Sequence, residues 1–245
     1  AAGTPVETKI TGAAAEPEIS DLLAYLRGCG ALIESQPDGA ILVQGREALT
    51  GCCCHAILPD RIEAATYLAA AAITGGEITV YASPEHLAAP LAALRRMGCR
   101  ITTGEQSITL TAPEHLQGAG SIVTLPYPGF PTDLQAIFMA LAAAAEGYTA
   151  FTETVFPRRW AHVEELRRLG ADITVVGSHA VIRGAPLIGS ALTCTDLRAG
   201  AAVVLAALAA KGESSVTAIS HLERGYADFV PTLRHLGADI CLTEV

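Results

Sequence analysis

A chain of 245 residues with 51% apolar and 17% charged residues has the length for a sizeable core and the composition of a folded globular protein, which excludes a disordered class. Its formal net charge is −9 and only Lys9 and Lys211 are lysines, so neither a nucleic-acid surface nor a face for anionic membranes is expected. Any anionic ligand must then be held by a local cluster of the 14 arginines, against the overall field.

Alanine fills 45 positions and the aromatic residues together only 12, which favours closely packed helices with small residues at their contacts. The longest uncharged apolar stretch, Ala199–Ala210, has 12 residues and is too short to span a bilayer. Three of the seven cysteines stand in a row at Cys52, Cys53 and Cys54, a poor disulfide framework, so a reducing cytoplasm is expected. Successive strand side chains point to alternate faces, and the run lacks the C-x₂-C pairing of structural zinc sites. It reads as small buried strand residues next to His55, with no metal and no cofactor implied.

In chain order the elements repeat. Residues 1–57 hold the closing helix and strands of one unit, ending its helix at Leu26-Arg27-Gly28-Cys29-Gly30. The first residue is Ala1 and the chain opens in mid-unit, so a piece of something longer is expected. A helix over Ile62–Thr74 stops at Gly75, and a strand follows at Glu77–Tyr81. The motif then returns as Leu94-Arg95-Arg96-Met97-Gly98, leading into a strand from Ile101. A helix over Leu134–Glu146 precedes Gly147 and a strand at Tyr148–Phe151, before Leu166-Arg167-Arg168-Leu169-Gly170 and strands at Ile173–Val176 and Ala180–Arg183. The last helix of this type, Leu197–Lys211, precedes Gly212 and a strand at Ser214–Thr217. The motif closes as Leu233-Arg234-His235-Leu236-Gly237. Each copy reads as a last helical turn, a glycine just past it, and a strand. The chain from residue 58 to 245 is thus three complete units of two helices and several strands, and a closed α/β domain is favoured over a linear array.

Three segments are richer in unusual residues than packing requires. In Pro131-Thr132-Asp133-Leu134-Gln135, Thr132 and Gln135 have capping-box spacing, which makes Asp133 a first-turn acid at a helix start. Pro59-Asp60 and Thr195-Asp196 open the sister helices in a similar way. Thr152-Glu153-Thr154-Val155-Phe156-Pro157-Arg158-Arg159-Trp160 places the only tryptophan beside two arginines. Asp196-Leu197-Arg198 pairs with His221-Leu222-Glu223-Arg224-Gly225-Tyr226. Arg159 and Arg224 precede their repeat leucines by similar distances, so repeat symmetry aims both toward one end of the domain. Guanidinium forks placed there suit carboxylate and phosphate groups.

At these segments, and at Leu58-Pro59-Asp60-Arg61-Ile62-Glu63-Ala64, the chain resembles the UDP-N-acetylglucosamine 1-carboxyvinyltransferases, a family of enolpyruvyl transferases. The resemblance implies an inside-out α/β barrel of βαβαββ-type repeats with pseudo-threefold symmetry. It implies that residues 1–57 are the tail of an N-terminal domain and residues 58–245 the C-terminal three-repeat domain, with the N-terminal half of the enzyme as partner. The implied reaction transfers enolpyruvyl from phosphoenolpyruvate to the 3-hydroxyl of UDP-N-acetylglucosamine, for peptidoglycan precursors. Asp133 then faces the sugar hydroxyl, and the Val155 backbone contacts the nucleotide sugar. Arg159 and Arg224 line the phosphoenolpyruvate pocket, Arg198 lies at the domain interface, and Asp196 is a second acid near the reacting carbons. Pro157-Arg158 stands where the family has Glu-Asn. The family's N-terminal Lys-Asn segment and its flexible catalytic loop have no counterpart in this sequence, so the chain alone is expected to be inactive. Two alternatives remain: a sister transferase acting on shikimate 3-phosphate, and a non-catalytic remnant that binds a ligand or partner.

Overall fold

The computed structural model describes residues 1–51 and 54–243. The chain divides into two compact units, Ala1–Pro59 with Pro126–Pro128, and Asp60–Leu125 with Gly129–Val245.

In the first unit, β1 (Glu7–Ile10) leads through α1 (Pro17–Gly28) to β2 (Leu32–Ser35) and β3 (Ile41–Gln44). The three strands form an antiparallel sheet in the order β1-β3-β2. Ala31, Ile33, Ile41 and Val43 make a small core against Ile19, Leu23 and Leu26 of α1.

The second unit repeats that pattern and adds a helix to it. α2 (Arg61–Thr74) is followed by β4 (Glu77–Val80), α3 (Ala88–Arg96), β5 (Arg100–Thr103) and β6 (Ile108–Thr111). Next come β7 (Gly120–Val123), α4 (Gln135–Ala144), β8 (Tyr148–Thr152), α5 (His162–Arg168), β9 (Asp172–Val176) and β10 (His179–Arg183). The chain closes with β11 (Ala191–Thr193), α6 (Leu197–Ala209), β12 (Ser215–Thr217) and α7 (Phe229–His235). The sheets run β4-β6-β5 and β7-β8-β10-β9, so the strand order of the first unit recurs twice. β7 pairs parallel with β8, and β11 with β12, across their intervening helices.

The repeated leucine-to-glycine motif has a direct physical cause. At all four copies the glycine is left-handed: Gly30, Gly98, Gly170 and Gly237 have φ of 89°, 94°, 95° and 102°. The following N–H returns to the carbonyl of the repeat leucine, from Ala31 to Leu26 at 3.0 Å, Cys99 to Leu94 at 3.1 Å, Ala171 to Leu166 at 3.1 Å and Ala238 to Leu233 at 3.0 Å. Each glycine N–H also bonds the carbonyl of the arginine after that leucine. This is the Schellman closure, which stops the helix and turns the chain into the next strand.

The long helices α2, α4 and α6 each pack on the other two. Their alanines and leucines are buried on nearly every side, as an alanine-rich composition permits, and strand residues such as Leu110, Phe151 and Ile182 belong to the same core. Three expectations are corrected. α4 and α6 end at Ala144 and Ala209, and Ala145 and Ala210 are extended, so these helices stop short of Gly147 and Gly212. The last motif copy leads into no strand among the described residues. Finally, Cys52 and Cys53 lie outside the described residues, and Cys54 is exposed in a loop rather than buried in a strand. His55 Nε2 lies 3.0 Å from Asp21 Oδ1.

Candidate active site

Asp60, Asp133 and Asp196 hold equivalent places at the starts of the three central helices, and two of them behave as caps. Asp60 Oδ1 accepts from the N–H groups of Ile62 and Glu63 at 2.7 and 3.1 Å. Asp196 Oδ1 accepts from Arg198 and Ala199, each at 2.9 Å. Both therefore satisfy N–H donors that a helix start leaves open.

Asp133 does not cap. A tight 3₁₀ turn, Thr132–Leu134, precedes α4, and Pro131 holds the cap position, where it offers no side-chain acceptor. The expected capping box is absent. The Thr132 hydroxyl is used elsewhere, and neither amide atom of the buried Gln135 has a hydrogen-bond partner among the described residues. The Asp133 carboxylate instead takes Arg159 Nη2 at 2.9 Å and lies 3.6 Å from Arg198 Nε, both at Oδ1. Its side chain is 40% exposed, against 24% for Arg159 and 16% for Arg198. Screening at that exposure holds each pair to about 1 kcal/mol or less. The arrangement is thus one of orientation: two guanidiniums converge on one carboxylate that water can still reach.

Each arginine is held from behind. Arg159 Nη1 donates to Thr132 Oγ1 at 3.1 Å, and its guanidinium lies 5.5 Å from the centre of the Phe156 ring. Thr132 in turn donates to Glu153 Oε2 at 2.9 Å. Glu153 is fully buried, and its Oε1 accepts from Thr124 Oγ1 at 2.7 Å and from the N–H groups of Val155 and Phe156 at 2.9 Å each. Four donors around a carboxylate with no ion pair among the described residues offset the cost of removing that charge from water. On the other side, Arg198 Nη1 donates to the Tyr226 hydroxyl at 3.2 Å, and that hydroxyl lies 3.0 Å from Thr66 Oγ1. Thr66 gives its one proton to the Ile62 carbonyl at 2.8 Å, so Tyr226 is the donor to Thr66 and the acceptor from Arg198. Burial pushes the Tyr226 hydroxyl up, and Arg198 beside it acts the other way.

His162 opens α5 near this cluster and is 1% exposed. Its Nε2 lies 3.0 Å from Met139 Sδ; a thioether only accepts, so Nε2 carries the proton. Burial lowers its pKa to about 4, opposed by the charge of Asp196 and assisted by that of Arg159. It is a neutral packing group at physiological pH.

Of the residues singled out in the sequence, Asp133, Arg159 and Arg198 come together directly. Asp196 stands at the head of the same helix as Arg198, committed at Oδ1 to its cap. The Val155 N–H is turned into Glu153. Arg224 is exposed at the end of a 3₁₀ turn, Ile219–Arg224, and makes no hydrogen bond or ion pair among the described residues. It lies two residues from Tyr226, which does join the network. Sequence reasoning gave no role to Glu153 or Thr66 and read Thr132 as a helix cap. The signal for Glu153 is its parity with Phe151: strand alternation turns residue 151 into the core, and a carboxylate two positions on faces the same way. No group of three His, Cys, Asp or Glu residues able to hold a metal occurs among the described residues. No helix among them is long and apolar enough to cross a membrane.

A family model described as EPSP synthase (3-phosphoshikimate 1-carboxyvinyltransferase) matches residues 1–233. The chain is 47% identical over 244 residues to UDP-N-acetylglucosamine 1-carboxyvinyltransferase of Synechocystis sp., covering 97% of this chain and 54% of that protein. Its fold is similar to the crystal structure of the enolpyruvyl transferase NikO from Streptomyces tendae, with a TM-score of 0.86 and 30% identity over 97% of this chain and 57% of that one. EPSP synthase from Acinetobacter baumannii shares the fold at a TM-score of 0.73 and 19% identity, over 98% of this chain and 59% of that one. The chain spans about half the length of the curated relatives it matches. With an α/β repeat fold and a family match across nearly its whole length, this chain belongs to the EPSP synthase family.

Proposed function

We propose that this chain carries the C-terminal half of an enolpyruvyl transferase active site that moves enolpyruvyl from phosphoenolpyruvate to the 3-hydroxyl of UDP-N-acetylglucosamine and releases phosphate. On this reading residues 58–245 are one pseudo-threefold, inside-out α/β domain, a reading supported by the mutual packing of α2, α4 and α6 and by the recurring strand order. Residues 1–57 are then the tail of a preceding domain, whose remainder supplies the rest of the site. The protein acts in the cytoplasm, in peptidoglycan precursor synthesis.

The observation that carries the proposal is the exception at Asp133. Among three equivalent aspartates it alone is released from capping and set between two arginines with its carboxylate accessible. As the sugar hydroxyl adds to C2 of phosphoenolpyruvate, its proton passes to the Asp133 carboxylate while C3 takes a proton from an acid supplied by the preceding domain. The double bond gives way to a tetrahedral centre, and loss of phosphate together with a proton from C3 then restores an enol ether. Arg159, Arg198 and Arg224 supply positive charge for the carboxylate and phosphate and for the charge that develops between them. Asp196 stands near the reacting carbons, and the Val155 backbone meets the nucleotide sugar.

The test is phosphate release from phosphoenolpyruvate and UDP-N-acetylglucosamine by the 245-residue chain, alone and with the N-terminal half of the Synechocystis relative. Release only with both halves is expected, because closure around the substrates must exclude water. No release with both, while the relative's own two halves are active together, overturns the proposal. Turnover with shikimate 3-phosphate instead transfers the assignment to the sister reaction. Ligand binding without turnover identifies a non-catalytic protein.

A further inference from the structure

The buried carboxylate of Glu153 makes no ion pair among the described residues. It follows the end of β8 and is completely buried, yet it gathers two hydroxyls and two consecutive backbone N–H groups from three separate segments. We propose that Glu153 is a positioning residue, which acts through Thr132 on Arg159 and thereby sets the Arg159–Asp133 pair.

Proton accounting carries the inference. A threonine hydroxyl has one proton and two lone pairs. Glu153 Oε2, an obligate acceptor when ionised, draws the Thr132 proton toward itself at 2.9 Å. The lone pairs of Thr132 Oγ1 are thereby left for Arg159 Nη1 at 3.1 Å. A guanidinium is a rigid planar fork, so fixing Nη1 directs Nη2 to its 2.9 Å bond with Asp133 Oδ1. At its other oxygen Glu153 holds the N–H groups of Val155 and Phe156, and Phe156 is the ring over which Arg159 lies. One buried charge therefore sets the arginine from two directions, by its hydrogen-bond partner and by the loop beneath it. Thr124 reinforces the loop, because its hydroxyl also accepts the Thr154 N–H at 2.9 Å while donating to Glu153.

The kinetic part of this inference rests on the proposed function, and the structural part does not. On the 245-residue chain, hydrogen exchange is followed at the Val155 and Phe156 amides and at the Arg159 guanidinium by NMR. All three are expected to exchange slowly in the wild type. Thr132→Val should free the Arg159 guanidinium and leave both amides protected, whereas Glu153→Gln should loosen all three. Equal guanidinium exchange in the wild type and T132V, or full protection in E153Q, overturns the proposal. In the two-half enzyme, both substitutions should lower kcat about 10- to 100-fold, as sub-ångström misplacement of reacting groups does, while KM for each substrate changes by less than about threefold. Thr132→Ser, which keeps the hydroxyl, should recover most of the turnover. A fall in Tm with kcat unchanged would make the role purely structural and overturn the proposal. If the wild type itself releases no phosphate, the assigned reaction fails, and the exchange measurements still decide what Glu153 does.

Discussion

Asp133 and Asp196 differ by one turn of backbone, and that difference separates a cap from an accessible carboxylate. Asp196→Ala removes the acceptor for two N–H groups at the head of a buried 13-residue helix, and should cost about 1 kcal/mol in urea unfolding. Asp133→Asn should change stability by less than about 0.5 kcal/mol, since its pairs are half-exposed, yet lower turnover of the two-half enzyme far more than it changes substrate affinity. An Asp133→Asn variant with full turnover would return Asp133 to the rank of a first-turn acid. The sequence showed all three aspartates at helix starts. Which one is freed depends on Pro131 and the 3₁₀ turn that follows it, and no spacing rule reveals that choice.

Among the elements, α6 is closely packed at Gly200. Gly200 lies in its second turn, where an added Cβ would meet Cys194 Sγ at 2.9 Å, Cys194 Cβ at 3.2 Å and Leu222 Cδ2 at 3.2 Å. Helix propensity alone favours alanine there by about 1 kcal/mol, but overpacking a fixed core costs about 1–3 kcal/mol. Gly200→Ala should therefore destabilise in urea titrations, and Cys194→Ala in the same chain should relieve part of the loss, so that the double variant is more stable than the sum of the two singles. Additive losses would show that the helix moves to accommodate the methyl group. Helix ends are legible in the sequence where a glycine closes a Schellman turn, because that geometry is local. At Ala145 and Ala210 the helices stop without such a signal. There the chain is drawn away into contacts with distant segments: the Gly118 N–H bonds the Glu146 carbonyl at 2.7 Å, and the Lys211 N–H bonds the Leu187 carbonyl at 2.8 Å.

For the molecule as a whole, acid stability is tied to His162. Its pKa is about 4 when folded, against 6.5 for an unperturbed imidazole. Above pH 6.5 it is neutral in both states and has no effect. Between pH 6.5 and 4 the unfolded chain binds a proton that the folded chain refuses, so stability falls as the pH drops through that window. The loss approaches about 3 kcal/mol at pH 4. His162→Phe should flatten that part of the pH–stability profile measured by urea denaturation, even if it lowers stability uniformly through altered packing against Met139. An unchanged slope between pH 6.5 and 4 in the variant would place the acid sensitivity elsewhere.

By itself the sequence determined the repeat, the helix-terminating glycines, the alanine-rich helices of the core and the three segments that carry the charged site. These are properties of residues close in the chain, or of a pattern copied several times along it. Only the tertiary structure decided the partners: that Asp133 meets Arg159 and Arg198, that Tyr226 ties Arg198 to Thr66, 160 residues away, and that Glu153 is buried among four donors. Asp133–Arg198 and Thr66–Tyr226 join different repeats, and the others mostly join separate segments of one repeat. A hydrogen bond between distant segments leaves no period or spacing in the sequence, because its geometry exists only once the helices and sheets have packed.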